Sequence, residues 1–182
     1  IPALPILVIP ALTTVLHNAA VTIIITITAP MLFDAPVLVN LIGFTITFLL
    51  MAFACAGLGV LIGVVSPSSR MTVLWSQLIF LPSMLLGGMM IPYSILPGSV
   101  RIIAQLMPAT HAMNAFRGLA QNLATDFNPV GSLVILFVSG VLAFGLAIYL
   151  FSWDRLNARR RGHPSLGLLA MLPYVVGILL LS

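Results

Sequence analysis

The side chains in this sequence that are able to do chemistry are few, and they are scattered. His17, His111 and His163 fall in three different regions. None has a second metal ligand three or four residues away, the spacing that would set two donors on one helical face. There is no lysine, so the phosphate loop G-x-x-x-x-G-K-[ST] is excluded, and nucleotide hydrolysis by that route with it. No G-x-S-x-G elbow is present. Asp34, Asp126 and Asp154 are the only carboxylates, and all fall at predicted interfaces. A proton- or ion-coupled carrier keeps an ionisable group at membrane depth, and His17 is the one candidate there. With Asn18, Thr13 and Thr14 it forms a polar patch that has two readings. It lines a substrate path, or it hydrogen-bonds between helices and fixes packing, at about 1 kcal/mol or less per contact. The second is the plainer reading. Cys55 is the only cysteine, cannot form an internal disulfide, and reads as a buried structural thiol. The expectation is a protein that is not an enzyme and holds no cofactor or metal.

Whatever positions these residues is built almost entirely from apolar side chains. Of 182 residues 61% are hydrophobic and 5% charged. A soluble domain carries about a quarter charged residues, because its surface faces water. Seven arginines and three aspartates cannot cover a globule of this size, so lipid is part of the solvent. The net charge of +4 is not a nucleic-acid signature. Arg155, Arg159, Arg160 and Arg161 follow directly on a long apolar run, where a membrane protein keeps its cytoplasmic positive charge. No nucleic-acid partner is expected.

About 20 mostly apolar residues cross the hydrocarbon core as a helix. The charge-free stretches place four spans at 6–29, 37–65, 71–90 and 130–153. The β-branched run 22–28 would read as a strand in water, but in lipid the backbone must satisfy its own hydrogen bonds and helix wins. Gly59 and Gly63 form a G-x-x-x-G step that, with Gly57 and nearby alanines, offers a small-residue face, as do Gly140, Ala143 and Ala147. Pro82 is expected to bend the third span. Residues 162–182 form an additional apolar segment, a candidate fifth span. The fold class is all-α, a polytopic transmembrane bundle.

The connection between the third and fourth spans is different in kind. Two short apolar-periodic stretches, 98–107 and 109–123, are separated by Pro108 and approached through Pro92 and Pro97. Each is too short to span and too apolar for a free loop, which reads as a re-entrant or interfacial helical pair. The arginine bias places 66–70 and 153–161 in the cytoplasm and 91–129 outside, in a multi-pass cell-membrane protein.

The segment MLLGGMMIPYSILP over 84–97, with MPATHAMNAFRG over 107–118, resembles the ABC-2 type permeases, the membrane subunits of a class of ATP-binding-cassette exporters. Gly88, Pro92, Pro97, Pro108 and Arg117 occupy that family's spacing, and the glycine-rich end of the second span with Ser66 and Pro67 is similar to its cytoplasmic turn. The resemblance covers about 5–155 and assigns 1–161 to a partial ABC-2 transmembrane domain. It implies six spans, of which these four are the third to sixth, the first two lying before this sequence. It also implies a second permease subunit, as homo- or heterodimer, and a separate ATPase subunit that drives export. The helical pair would cap the outer end of the pathway, with His111 and Arg117 near the exit and His17 and Asn18 as candidates for its lining. The turn Ser66–Arg70 and the cluster Arg155, Arg159, Arg160 and Arg161 would form the cytoplasmic face. The alternatives are a non-ABC carrier or channel using the His17 patch, and a membrane scaffold or assembly subunit.

Overall fold

A computed structural model describes residues 3–33, 40–151 and 163–181. The turn around Asp34, Trp153 and the arginines at 155, 159, 160 and 161 lie outside the described residues. Every regular element described is helical. The long helices are α1 (Ala3–Phe33), α2 (Leu41–Val65), α3 (Ser69–Leu86) and α6 (Pro129–Leu150). Between the last two lie α4 (Gly98–Gln105) and α5 (Pro108–Ala115), the latter running into a π-helical turn, Phe116–Ala120. A 3-10 stretch, Pro164–Met171, continues into α7 (Leu172–Leu181).

Local chemistry sets these boundaries. Asn40 caps α2, its Oδ1 accepting from Gly43 N at 3.0 Å. At the other end Ser66 is extended (φ −71°, ψ 133°) because Pro67 disfavours helical geometry in the residue before it. Ser68 caps α3. That helix stops at Leu86, short of the expected 90, because Gly87 closes it and Gly88 turns to φ +87°. Asn128 caps α6, and Pro129 takes the first turn, where no N–H is needed. α1 runs through both Pro10 and Pro30 and ends later than 29. The hydroxyls of Thr13, Thr14 and Thr28 donate to carbonyls four residues back at 2.9 Å. That keeps polar atoms satisfied inside an apolar helix.

The most extensive helix contact is between α2 and α6. It is close because both contribute glycine at the crossing. A Cβ on Gly57 would lie 3.0 Å from Gly140 O, and one on Gly140 would lie 2.4 Å from the Phe53 ring. Below this, Leu58 and Leu61 pack on Ala143, Ala147 and Ala170. The G-x-x-x-G step takes no part: nothing lies within 4 Å of a Cβ at Gly59 or Gly63. Cys55 is likewise exposed on α2 beside Met51, and is not the buried thiol the sequence suggested.

Lipid must solvate the rest. Ile23, Ile24, Ile25 and Ile27 on α1 are each 57–61% exposed. In water such a face would be an aggregation surface; in a bilayer it is the ordinary outer face of a bundle. Among the described residues, three helices are long and apolar enough to cross a membrane, within α1, α2 and α6.

Candidate functional site: the paired short helices between α3 and α6

The prolines singled out by their spacing each begin an element. Pro92 opens a 3-10 turn at Tyr93–Ile95, its carbonyl accepting from Ile95 N. Pro97 caps α4, its carbonyl accepting from Val100 N at 2.9 Å and Arg101 N at 3.0 Å. Pro108 sits in the first turn of α5 and is buried. In each case the ring's fixed φ suits the turn, and the missing N–H is not wanted. Gly87 lets α3 approach α5, since a Cβ there would meet Ser83 O at 2.3 Å and Ala109 Cβ at 2.7 Å.

The buried face of α5 is not the apolar one the periodicity predicted. Ala115 is buried as expected and Ala109 and Pro108 with it, but Ala112 is only partly so, and three polar residues, Thr110, His111 and Asn114, share the buried face. Each is held. Thr110 Oγ1 donates to Ala104 O across the α4–α5 turn. His111 Nε2 donates to Gln105 O at 2.8 Å, while Gln105 Nε2 donates to Tyr93 Oη at 2.6 Å. Asn114 ties three elements together. Its Nδ2 donates to Phe127 O at 2.8 Å and to Ser132 Oγ at 3.1 Å, and its Oδ1 accepts from Asp126 N at 3.2 Å. Removed from water, each of these groups would cost more unpaired than its bond contributes when made. The network therefore specifies one arrangement of α4, α5 and the start of α6.

Aromatic rings close the same layer. Phe127 meets Tyr93 edge-on at 5.6 Å and His111 at 5.4 Å. Burial pushes the His111 imidazole below its ordinary pKa, partly offset by the bond to Gln105 O, so the ring is neutral at physiological pH. Arg101 folds back, donating from Nε to Leu96 O at 2.8 Å and to Ser94 O, with its guanidinium over the Tyr93 ring. Arg117 pairs with Asp126 at 3.6 Å. Both are partly exposed, so that pair contributes little to stability. Beside it a cavity of about 20 Å3, bounded by Gly88, Met113, Asn114 and Arg117, has room for one water molecule. α4 and α5 thus form a closely packed, polar-locked module with the start of α6.

The structure brings Gly88, Pro92, Pro97, Pro108, His111 and Arg117 into this one module, though His111 and Arg117 face different neighbours. Ser66 is buried at the end of α2 and Arg70 is exposed in the first turn of α3. His17 and Asn18 lie elsewhere, exposed on α1, with no side-chain hydrogen bond among the described residues. Tyr93, Gln105 and Asn114 were missed. Their one signal is a polar side chain in an otherwise apolar run. Among the described residues no three His, Cys, Asp or Glu side chains come together.

Long apolar helices with no aqueous face, packed around a polar-locked helical pair, define a multi-pass helical membrane protein. A family model of the ABC-2 type transporter matches residues 1–120, and the chain belongs to that family as its membrane-embedded transport domain. Comparison with curated proteins and with solved structures returned no match.

Proposed function

We propose that this chain is the permease subunit of an ABC-2 type exporter, forming the translocation pathway through which ATP hydrolysis on a separate subunit drives export. The observation that carries the reading is the module between α3 and α6, in which prolines start each short element and a buried network holds them in one packing. A re-entrant cap at the outer end of a pathway needs such rigidity, because irregular backbone within the membrane must be satisfied by protein. The membrane domain supplies no lysine for a phosphate loop, so the ATPase is assigned to a partner, docked on the cytoplasmic turn 66–70. A second permease completes the pathway, and α1 and α3 carry broad apolar faces with few neighbours within this chain. Alternation is then a shift between two packings of the bundle, driven by a partner that binds one of them better.

The isolated chain, solubilised in detergent, is expected to show no ATP hydrolysis, and affinity purification from native membranes is expected to bring down a separate ATPase. Robust hydrolysis by the purified chain alone would overturn the reading.

Orientation is tested by thiol labelling in a Cys55→Ala background. Position 110, on the buried face of α5, is a poor probe because Thr110 is 2% exposed. Ser69→Cys and Ser99→Cys sit at exposed positions. A membrane-impermeant maleimide is expected to reach residue 99 in intact cells and residue 69 only after permeabilisation. The reverse pattern would invert the topology.

A further inference from the structure

The segment at 164–181 lies outside the residues 1–120 that the family model matches, yet it is integrated into the bundle. Its buried residues are Ala170, Pro173, Tyr174 and Gly177, a helical i, i+3, i+4, i+7 stripe, while Leu168, Leu172, Val176, Leu179 and Leu180 face outward. The stripe runs the length of α6. Gly167 lies against Val65 and Leu61, near the inner end of α2, and Ala170 packs with Ala143 and Ala147. Gly177 lies against Ile135 and His111, so close that a Cβ there would be 2.4 Å from Ile135 Cδ1. The segment therefore climbs from the 66–70 side of the bundle to the short-helix side.

Its backbone geometry decides whether it is long enough. Eighteen residues of α-helix would cover about 27 Å, short of the roughly 30 Å hydrocarbon core. The first eight residues are 3-10 helix, which rises about 2 Å per residue and covers about 16 Å. The ten residues of α7 add about 15 Å. Pro173 is a cause of the switch. In an α-helix the Leu169 carbonyl would accept from residue 173, which has no N–H; here Leu172 N donates to it instead, the 3-10 pattern. In lipid that carbonyl cannot be left open.

At its outer half the segment meets the capping pair. α7 packs on α4, and the fully buried Tyr174 ring lies 5.6 Å from the His111 ring. His111 Nδ1, Ser139 Oγ and Tyr174 Oη are all buried without a hydrogen-bond partner. Because His111 donates through Nε2 to Gln105 O, its Nδ1 presents a lone pair. Ser139 on α6 faces the Tyr174 hydroxyl without reaching hydrogen-bond geometry. One acceptor from α5 and two hydroxyls, from α6 and α7, thus meet in one apolar layer. Such groups are buried together where a small shift or a single water joins them.

We propose that residues 164–181 cross the bilayer as a further membrane segment and hold the capping pair from behind, with Tyr174 as the positioning residue for His111. The crossing stands on packing and length alone; the role at the cap rests on the exporter reading above. Two measurements on the intact chain in native membranes test them separately. Ser165→Cys and Ser182→Cys, each in the Cys55→Ala background, are expected to label from opposite sides of the membrane. Labelling from the same side overturns the crossing. An inverted orientation would instead swap this pair together with the Ser69 and Ser99 probes and leave the crossing intact. For the cap, a thiol at buried position 110 (Thr110→Cys) is expected to label roughly tenfold faster when combined with Tyr174→Ala, and at the parental rate with Tyr174→Phe, which keeps the ring. Should Tyr174→Ala fail to accumulate, Tyr174→Leu fills most of the space without a ring against His111 and carries the same expectation. Unchanged protection in the variant that accumulates overturns the positioning role.

Discussion

Asn114→Leu is expected to release the paired helices from the start of α6 and to lower the melting temperature of the detergent-solubilised protein by roughly 10 °C. Leucine matches asparagine in length and suits an apolar layer, so hydrophobicity alone would predict a neutral or stabilising change. The polar bookkeeping reverses the sign. Asn114 satisfies Phe127 O, Ser132 Oγ and Asp126 N at once, and it is itself 6% exposed. Leucine would leave those partners facing an apolar side chain, at about 1–3 kcal/mol for each one that stays buried and unpaired. Ser132 can rotate toward Asn128 O, to which it already donates at 3.3 Å, so the loss concentrates on the two backbone groups. About 2–6 kcal/mol overall is the outcome. Asn114→Asp separates donor from acceptor: it keeps an oxygen for Asp126 N, loses the Nδ2 donor, and sets a second carboxylate close to Asp126. It is therefore expected to be destabilised at neutral pH and to recover part of the loss on acidification, as protonation removes the repulsion and restores a donor. Asn18→Leu, at an exposed position on α1, is the comparison and is expected to stay within about 0.5 kcal/mol of the parent. Equal melting temperatures for Asn114→Leu and the parent would refute the account of the module as polar-locked.

The contrast between Asn114 and Asn18 also shows where sequence reasoning reached and where it stopped. Both are single asparagines in apolar surroundings. The sequence singled out Asn18 because it lay at mid-membrane beside His17, and passed over Asn114 because it lay in a segment already read as amphipathic. What separates them is the set of partners folded against them, Phe127, Ser132 and Asp126 in one case and none among the described residues in the other, and that set is non-local. Proline placement was legible because its effect is local. Pro92, Pro97 and Pro108 start elements through their own φ and missing N–H, whatever packs nearby. Helix class was legible for a similar reason, since lipid leaves the backbone few alternatives. The C-terminal segment fell between the two. Its marginal length as an α-helix left its path undecided, and the 3-10 stretch that lengthens it follows from Pro173 only once the Leu169 carbonyl is asked for a donor.

Glycines give the sharpest case, and Gly43 the second large effect. Helix propensity alone predicts that Gly→Ala inside a helix stabilises it by about 1 kcal/mol. At Gly59, where a Cβ would meet nothing within 4 Å, that gain is expected in full or in part. At Gly43 the same methyl would lie 2.2 Å from Leu119 O and 2.6 Å from Leu119 C. Those are backbone atoms of the π-helical turn, which cannot rotate away as a side chain can. The whole turn must retreat from α2, and it is anchored there by Asn40 N donating to Ala120 O at 3.0 Å and by Phe116 packed edge-on against Phe44 at 5.9 Å. Overpacking against a fixed neighbour costs about 1–3 kcal/mol, and more where a hydrogen bond is lost with it, which exceeds the propensity gain. Gly43→Ala is therefore expected to lower the melting temperature by several degrees while Gly59→Ala raises it slightly, two identical substitutions on one helix with opposite signs. Because the displaced turn carries Arg117, Gly43→Ala is also expected to weaken the contact with Asp126 and to reduce export in reconstituted vesicles, while Gly59→Ala transports as the parent does. A stabilised Gly43→Ala protein would mean that α2 and the turn are not in contact, and would remove the floor on which the paired short helices stand.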